Sequence, residues 1–88
     1  MKYPFSKKDV EILDRILDLI LPFGSISYKT PIQRELNLDY VTLELYVEKL
    51  NEAGLLKESR GDVLSPSLKA ESFYKSGGFQ KEFEDWGG

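Results

Sequence analysis

Two helix-forming segments lie so close together in residues 30–54 that they must share one small core. Thr30 can cap the first segment, and Pro31 suits its first helical position. Asp39 can cap the second segment, and Gly54 ends it. The apolar residues of the second segment recur on one helical face, which predicts an amphipathic helix packed on a core: Leu43, Val47 and Leu50, with Tyr46 beside them.

An N-terminal helix precedes this pair. Ser6 and Asp9 stand at the spacing of a capping box, and the apolar periodicity then continues to about Leu21, where Pro22 follows. The apolar residues of this helix cover more than one stripe, so we expect it either to be central in the fold or to meet a second chain as well. Residues 25–27 alternate polar and apolar side chains and predict a very short strand.

The C-terminal third contains turn signals at regular intervals. Residues 55–59 and 62–65 flank Arg60 and Gly61, which predicts a β-hairpin. Ser65 or Ser67 can cap a fourth helix that ends at the glycine pair 77–78. Three aromatic residues then follow at the spacing of one helical face: Phe79, Phe83 and Trp86.

Composition limits the classes of function. At 88 residues the chain is expected to form one domain, with residues 6–76 as its core and 77–88 as an aromatic tail. Cysteine and histidine are absent, which removes the commonest metal ligands and neutral-pH bases, and no motif points to a serine–lysine or paired-carboxylate site. We therefore expect no enzyme activity, no cofactor and no metal. No apolar run approaches the roughly 20 residues of a membrane span, so the expected location is the cytoplasm.

The order helix, short strand, short helix, long helix, hairpin is that of a winged helix-turn-helix. Residues 32–56, IQRELNLDYVTLELYVEKLNEAGLL, resemble the helix-turn-helix of winged-helix bacterial regulators in their apolar spacing and in the capping place of Asp39. The segment FYKSGGF, residues 73–79, is similar to a phrase in small bacterial winged-helix proteins, which implies no particular function. The resemblance implies a mainly α fold with a small β-hairpin: a three-helix core, a wing and a C-terminal helix.

The resemblance also implies a transcriptional regulator that binds double-stranded DNA as a homodimer, with its third helix in the major groove. The implied base readers are Tyr40, Thr42 and Arg60, and the implied phosphate contacts are Lys29, Arg34, Lys57 and Arg60. The outward positions of the third helix nevertheless depart from the family pattern. Glu44 and Glu48 occupy places where Arg, Lys, Asn or Gln would read bases, and their carboxylates would repel phosphates.

A second hypothesis is a winged-helix module that binds protein and not DNA. Val41 and Leu45, with Tyr40, form an apolar strip where a DNA-reading face should be wet, and such strips are typical of protein contacts. The same residues could instead be ordinary core beneath the tail or the wing. For the homodimer we expect contacts from the tail aromatics, namely Phe79, Phe83 and Trp86.

Overall fold

Local signals in the sequence account for most of the helix boundaries. A computed structural model describes residues 3–23, 27–58 and 63–87. In chain order these residues form α1 (Lys7–Ile20), a single 3-10 turn (Leu21–Phe23), β1 (Ser27–Tyr28), α2 (Lys29–Leu36), α3 (Tyr40–Glu52), β2 (Leu56–Glu58), β3 (Val63–Pro66), α4 (Leu68–Lys75) and α5 (Gly78–Asp85). The mainly helical fold with a small antiparallel hairpin is as predicted.

The helix starts of α1 and α3 match the sequence prediction, Ser67 stands at the N-cap of α4 without a side-chain capping hydrogen bond, and the start of α2 differs. The Ser6 hydroxyl accepts a hydrogen bond from the backbone N–H of Asp9, whose carboxylate accepts from the Ser6 N–H, so the predicted capping box is present. The Asp39 carboxylate caps α3 by accepting from the backbone N–H of Thr42. By contrast, α2 begins at Lys29, one residue before the predicted Thr30 cap, because the chain passes directly from β1 into the helix.

The three strands form an antiparallel sheet in the order β1-β3-β2. Leu64 in the central strand pairs with Ser27 on one side and with Glu58 on the other, and its side chain is buried. The strand predicted at residues 25–27 corresponds to β1 at Ser27; residues 25 and 26 lie outside the described part of the chain, as do Arg60 and Gly61 at the predicted hairpin tip.

Helix α1 is the centre of the fold, which explains its unusually broad apolar face. It contacts α2, α3, α4, α5 and β3, and five of its side chains have no exposed surface: Val10, Leu13, Ile16, Leu17 and Ile20. Of the two explanations left open by the sequence, a central position therefore accounts for the width of this face without a second chain. Burial of each large aliphatic side chain is worth about 1.5–3 kcal/mol, so α1 supplies much of the stabilising core.

Helix α5, which lies in the segment 77–88 predicted as an aromatic tail, packs on α1 and contributes the buried Phe79 to this core. Both carboxylate oxygens of Asp14 on α1 accept hydrogen bonds from the first turn of α5, from the backbone N–H groups of Phe79 (2.8 Å) and Gln80 (3.0 Å). The carboxylate thus satisfies amides that a helix start leaves without partners. Gly78 adopts a φ of +63°, and a Cβ there would lie 2.5 Å from Asp14 Oδ1. The glycine therefore permits the close approach of α5 to α1.

Aromatic side chains join the N-terminal segment to α5. Tyr3 forms edge-to-face contacts with Phe5 and Phe83 and a tilted contact with Trp86, and its hydroxyl donates to Glu82 at 2.8 Å. These contacts cover much of the aromatic surface that the sequence left without a partner. Within the part of the chain that the structure describes, every helix is too short or too polar to cross a membrane.

Candidate functional site

A buried lysine lies at the meeting point of α2, α3 and β2. The Lys29 side chain is only 2 % exposed, and its ammonium donates hydrogen bonds to Glu44 on α3 and, at 2.6 Å, to Glu58 on β2. The same nitrogen lies 5.7 Å from the ring centroid of Tyr40, within the range of a cation–π contact. One ammonium therefore holds two helices and the hairpin in a fixed relation.

Lys29 and its carboxylate partners stabilise one another's charged forms. Burial by itself would lower the pKa of Lys29, but the hydrogen bonds and charges of Glu44 and Glu58 outweigh it and raise the pKa above its ordinary value. The hydrogen bond from Lys29, with a smaller contribution from Tyr40, lowers the pKa of Glu44. The lysine is thus charged and the Glu44 carboxylate ionised at neutral pH.

The outward face of α3 carries exposed apolar side chains. Val41 is 69 % exposed, Leu45 is 56 % exposed and Tyr40 is about half exposed. The inner face of the same helix buries Leu43 and Val47. The strip is therefore not ordinary core, and the interpretation that places it beneath the tail or the wing is wrong.

Carboxylates border this strip. An open depression between α3 and β2 is lined by Glu44, Glu48, Asn51, Glu52 and Glu58. Among the described residues, the cation besides Lys29 that contacts these glutamates is Lys49, whose ammonium lies 3.9 Å from Glu52 on the exposed helix surface, where such a pair contributes little. We call this surface the α3 face. It consists of the exposed Val41 and Leu45 together with the residues that line the depression, namely Glu44, Glu48, Asn51, Glu52 and Glu58.

The residues predicted to bind DNA differ in how accessible their side chains are. Lys29 is in the interior with its charge used by two carboxylates, so it is not presented to phosphate. Lys57 is exposed but, since side chains alternate along a strand, it projects from the opposite face of β2 to Glu58. Arg34 is exposed on α2 and Thr42 is half-buried in the first turn of α3. Arg60 lies outside the described residues.

The aromatic residues predicted to form a dimer contact are largely used within the chain. Phe79 is buried and stacks edge-on against Phe5 and Phe73, so it is not presented on the surface. Phe83 is half-buried against Tyr3, and Trp86 keeps about half of its surface exposed. The homodimer stays a prediction, with Trp86 as the remaining exposed residue of the three.

Sequence reasoning missed the role of Lys29 because its two partners are 15 and 29 residues away along the chain. A basic residue at the start of a helix is ordinarily solvated, and no spacing rule connects it to Glu44 or Glu58. The one signal that could have drawn attention to it is the excess of acids around α3, which needs a compensating cation.

Two other aspartates, on α1, form contacts between helices. In residues 3–23, 27–58 and 63–87 no group of three or more acidic side chains has the arrangement of a metal site. Asp9 and Asp18 on α1 accept hydrogen bonds from the hydroxyls of Tyr46 (2.7 Å) and Tyr74 (2.8 Å), and these contacts bind α3 and α4 to the central helix. Their role is structural.

Comparisons of this chain with models of protein families, with curated proteins and with solved structures found no match.

Proposed function

We propose that this chain is a winged-helix domain that binds a protein partner through the α3 face. The order of elements supports the winged-helix assignment, since a short strand lies between the first two helices and pairs with a hairpin that follows α3. In this arrangement α3 takes the place of the recognition helix, and β2 and β3 form the wing.

The observation that carries the proposal is the composition of the surface at that place. Val41 and Leu45 are more than half exposed beside a carboxylate-lined depression, and the nearby ammonium of Lys29 is already occupied. Exposed aliphatic residues with a polar rim are typical of protein contacts. A phosphate backbone would instead meet Glu44 and Glu48 at close range.

DNA binding is the second candidate, favoured by the element order and by the exposed side chains of Arg34 and Lys57. Each phosphate contact adds about 0.9 to the salt dependence of binding, so two cations would give a slope of about 2 and weak affinity. Anisotropy of labelled random-sequence duplex at low and moderate salt, run beside sedimentation of the protein, measures this directly. Tight, salt-sensitive binding by a dimer would replace our proposal with a DNA-binding regulator.

Partner binding is tested by comparing two leucine variants. Leu45→Ser removes an apolar side chain from the α3 face, while Leu68→Ser makes the same change at a leucine on α4 that is 100 % exposed. Proteins captured from source cells should include at least one that is lost with Leu45→Ser and retained with Leu68→Ser. Equal capture by both variants and the wild type would rule out the α3 face as the contact.

A further inference from the structure

Four of the exposed side chains of α3 form a stripe whose two halves differ in chemistry. Residues 41, 45, 48 and 52 follow the i, i+4, i+7, i+11 spacing of one helical face. Val41 and Leu45 make the N-terminal half apolar, whereas Glu48 and Glu52 make the C-terminal half acidic, and all four side chains are exposed. A ligand lying along α3 would meet an apolar surface first and then a row of carboxylates.

Two further carboxylates are held in place beside this stripe. Lys29 contacts one oxygen of Glu44 and one oxygen of Glu58, and those side chains remain 40 % and 35 % exposed. Their positions are therefore set before any partner arrives, which reduces the conformational entropy lost on binding. Lys29 acts here as a positioning residue, since its buried ammonium is not itself presented to a ligand.

The charge of the α3 face selects among occupants. Four glutamates line the depression, while the nearby cations among the described residues are the buried Lys29 and the exposed Lys49, whose ammonium lies 3.9 Å from Glu52. A second copy of this chain docked through the same face by a two-fold axis would bring acids against acids. An anionic lipid surface or nucleic acid would be repelled in the same way. The complement of this face is a polypeptide segment with both positive charge and an aliphatic anchor.

We infer that the α3 face binds a basic segment of another protein, with an aliphatic side chain of that segment on Val41 and Leu45 and its lysine or arginine side chains on Glu44, Glu48, Glu52 and Glu58. The inference rests on the proposed protein-binding function and specifies the chemistry of the partner. The aliphatic contact supplies most of the affinity, and the carboxylates supply orientation, selectivity and a faster association rate.

The test uses three labelled synthetic helices and the full chain. One helix carries lysines on both sides of a leucine pair, the second has glutamate in place of each lysine, and the third has serine in place of each leucine. We expect salt-sensitive anisotropy changes with the first helix and much weaker changes with the other two. Leu45→Ser should weaken binding of the first helix at least about fivefold, as expected for truncation of an apolar anchor.

Matched charge variants separate local recognition from general attraction to an acidic protein. Glu48→Gln with Glu52→Gln should weaken binding of the basic helix about three- to tenfold, because each exposed ion pair contributes modestly. Glu11→Gln with Glu84→Gln removes the same charge from exposed positions on α1 and α5 and should change binding less than about twofold. All four substitutions are at exposed sites, and thermal melts should confirm that each variant folds.

Each failure has a different meaning. Absence of binding by the basic helix, equal binding of the glutamate helix, or equal weakening by the two double variants would overturn the assignment of a basic partner. A captured protein that is lost with Leu45→Ser can also be tested against the Glu48→Gln, Glu52→Gln double variant. If that protein binds the double variant as well as it binds the wild type, the proposed basic chemistry of the partner is wrong, but the protein-binding function stands. If every captured protein binds Leu45→Ser as well as it binds the wild type, the proposed protein-binding function of the α3 face is wrong.

Discussion

Lys29→Met is the most informative single substitution in this chain. Methionine keeps an unbranched apolar side chain in the buried space but has no charge and no donor. The change leaves Glu44 and Glu58 close to each other without the ammonium that separates them. The three elements that Lys29 joins, α2, α3 and β2, lose their shared polar contact.

The burial of these charges sets how much stability Lys29→Met should lose. Removing one member of a fully buried ion pair costs about 3–5 kcal/mol, because the remaining charge is stranded. Here the two carboxylates are 40 % and 35 % exposed and can recover part of their hydration. We therefore expect Lys29→Met to lower the free energy of unfolding by about 1–3 kcal/mol, which for a domain of this size lowers Tm by about 5–20 °C.

The stability lost in Lys29→Met should also depend on pH. Lys29 lowers the pKa of Glu44 in the folded state, so the stabilising effect is fully present above the ordinary glutamate value of 4.5 and is lost as pH falls through the lowered value. The difference between wild type and Lys29→Met should therefore shrink on acidification below that value. A difference that stays constant with pH would mean that Glu44 does not take part.

Urea unfolding followed by far-UV circular dichroism measures the effect, and a triple variant provides the control. Adding Glu44→Gln and Glu58→Gln to Lys29→Met removes the stranded charges and should restore at least half of the lost stability. The reasoning is refuted if Lys29→Met lies within about 0.5 kcal/mol of wild type. It is also refuted if the triple variant keeps the whole loss, because the cause would then be packing and not charge.

Three further predictions concern the contacts around α1. Gly78→Ala should destabilise the chain by at least about 1 kcal/mol more than Gly54→Ala, because both positions have positive φ but only the first would place a Cβ against Asp14; equal urea midpoints would show that Asp14 moves aside. Tyr46 has its pKa raised to about 12, first by burial and then by its hydrogen bond to an aspartate, so wild-type stability should fall as pH rises from 10 to about 12 since the unfolded state releases the proton first. Tyr46→Phe should lose less stability over this pH range, with the remaining loss coming from Tyr3 and Tyr74, whose pKa values are also raised; parallel curves for the two proteins would contradict the assignment. Ser6→Ala should cost about 1 kcal/mol and speed amide exchange in the first turn of α1, whereas unchanged exchange would mean that water replaces the cap.

The sequence alone determined the local structure of this protein. The capping residues Ser6 and Asp39 and the glycine at position 54 act on backbone groups within a few residues, so their effect on helix starts and ends can be predicted without knowing the rest of the fold. Apolar periodicity likewise predicted which side of α3 faces inward. The apolar strip on its outward side was visible in the same pattern, although its exposure was not.

The tertiary structure decided what those elements do together. Lys29 becomes a buried positioning group because folding brings it to carboxylates 15 and 29 residues away, and no local rule links such distant positions. Phe79 was predicted to form a surface contact but is buried, because Asp14, which lies 65 residues earlier in the chain, binds the first turn of α5. Local propensity depends on neighbours along the chain, but burial and charge compensation depend on neighbours in space, which is why only the tertiary structure shows that the strip is exposed and that Lys29 lies between Glu44 and Glu58.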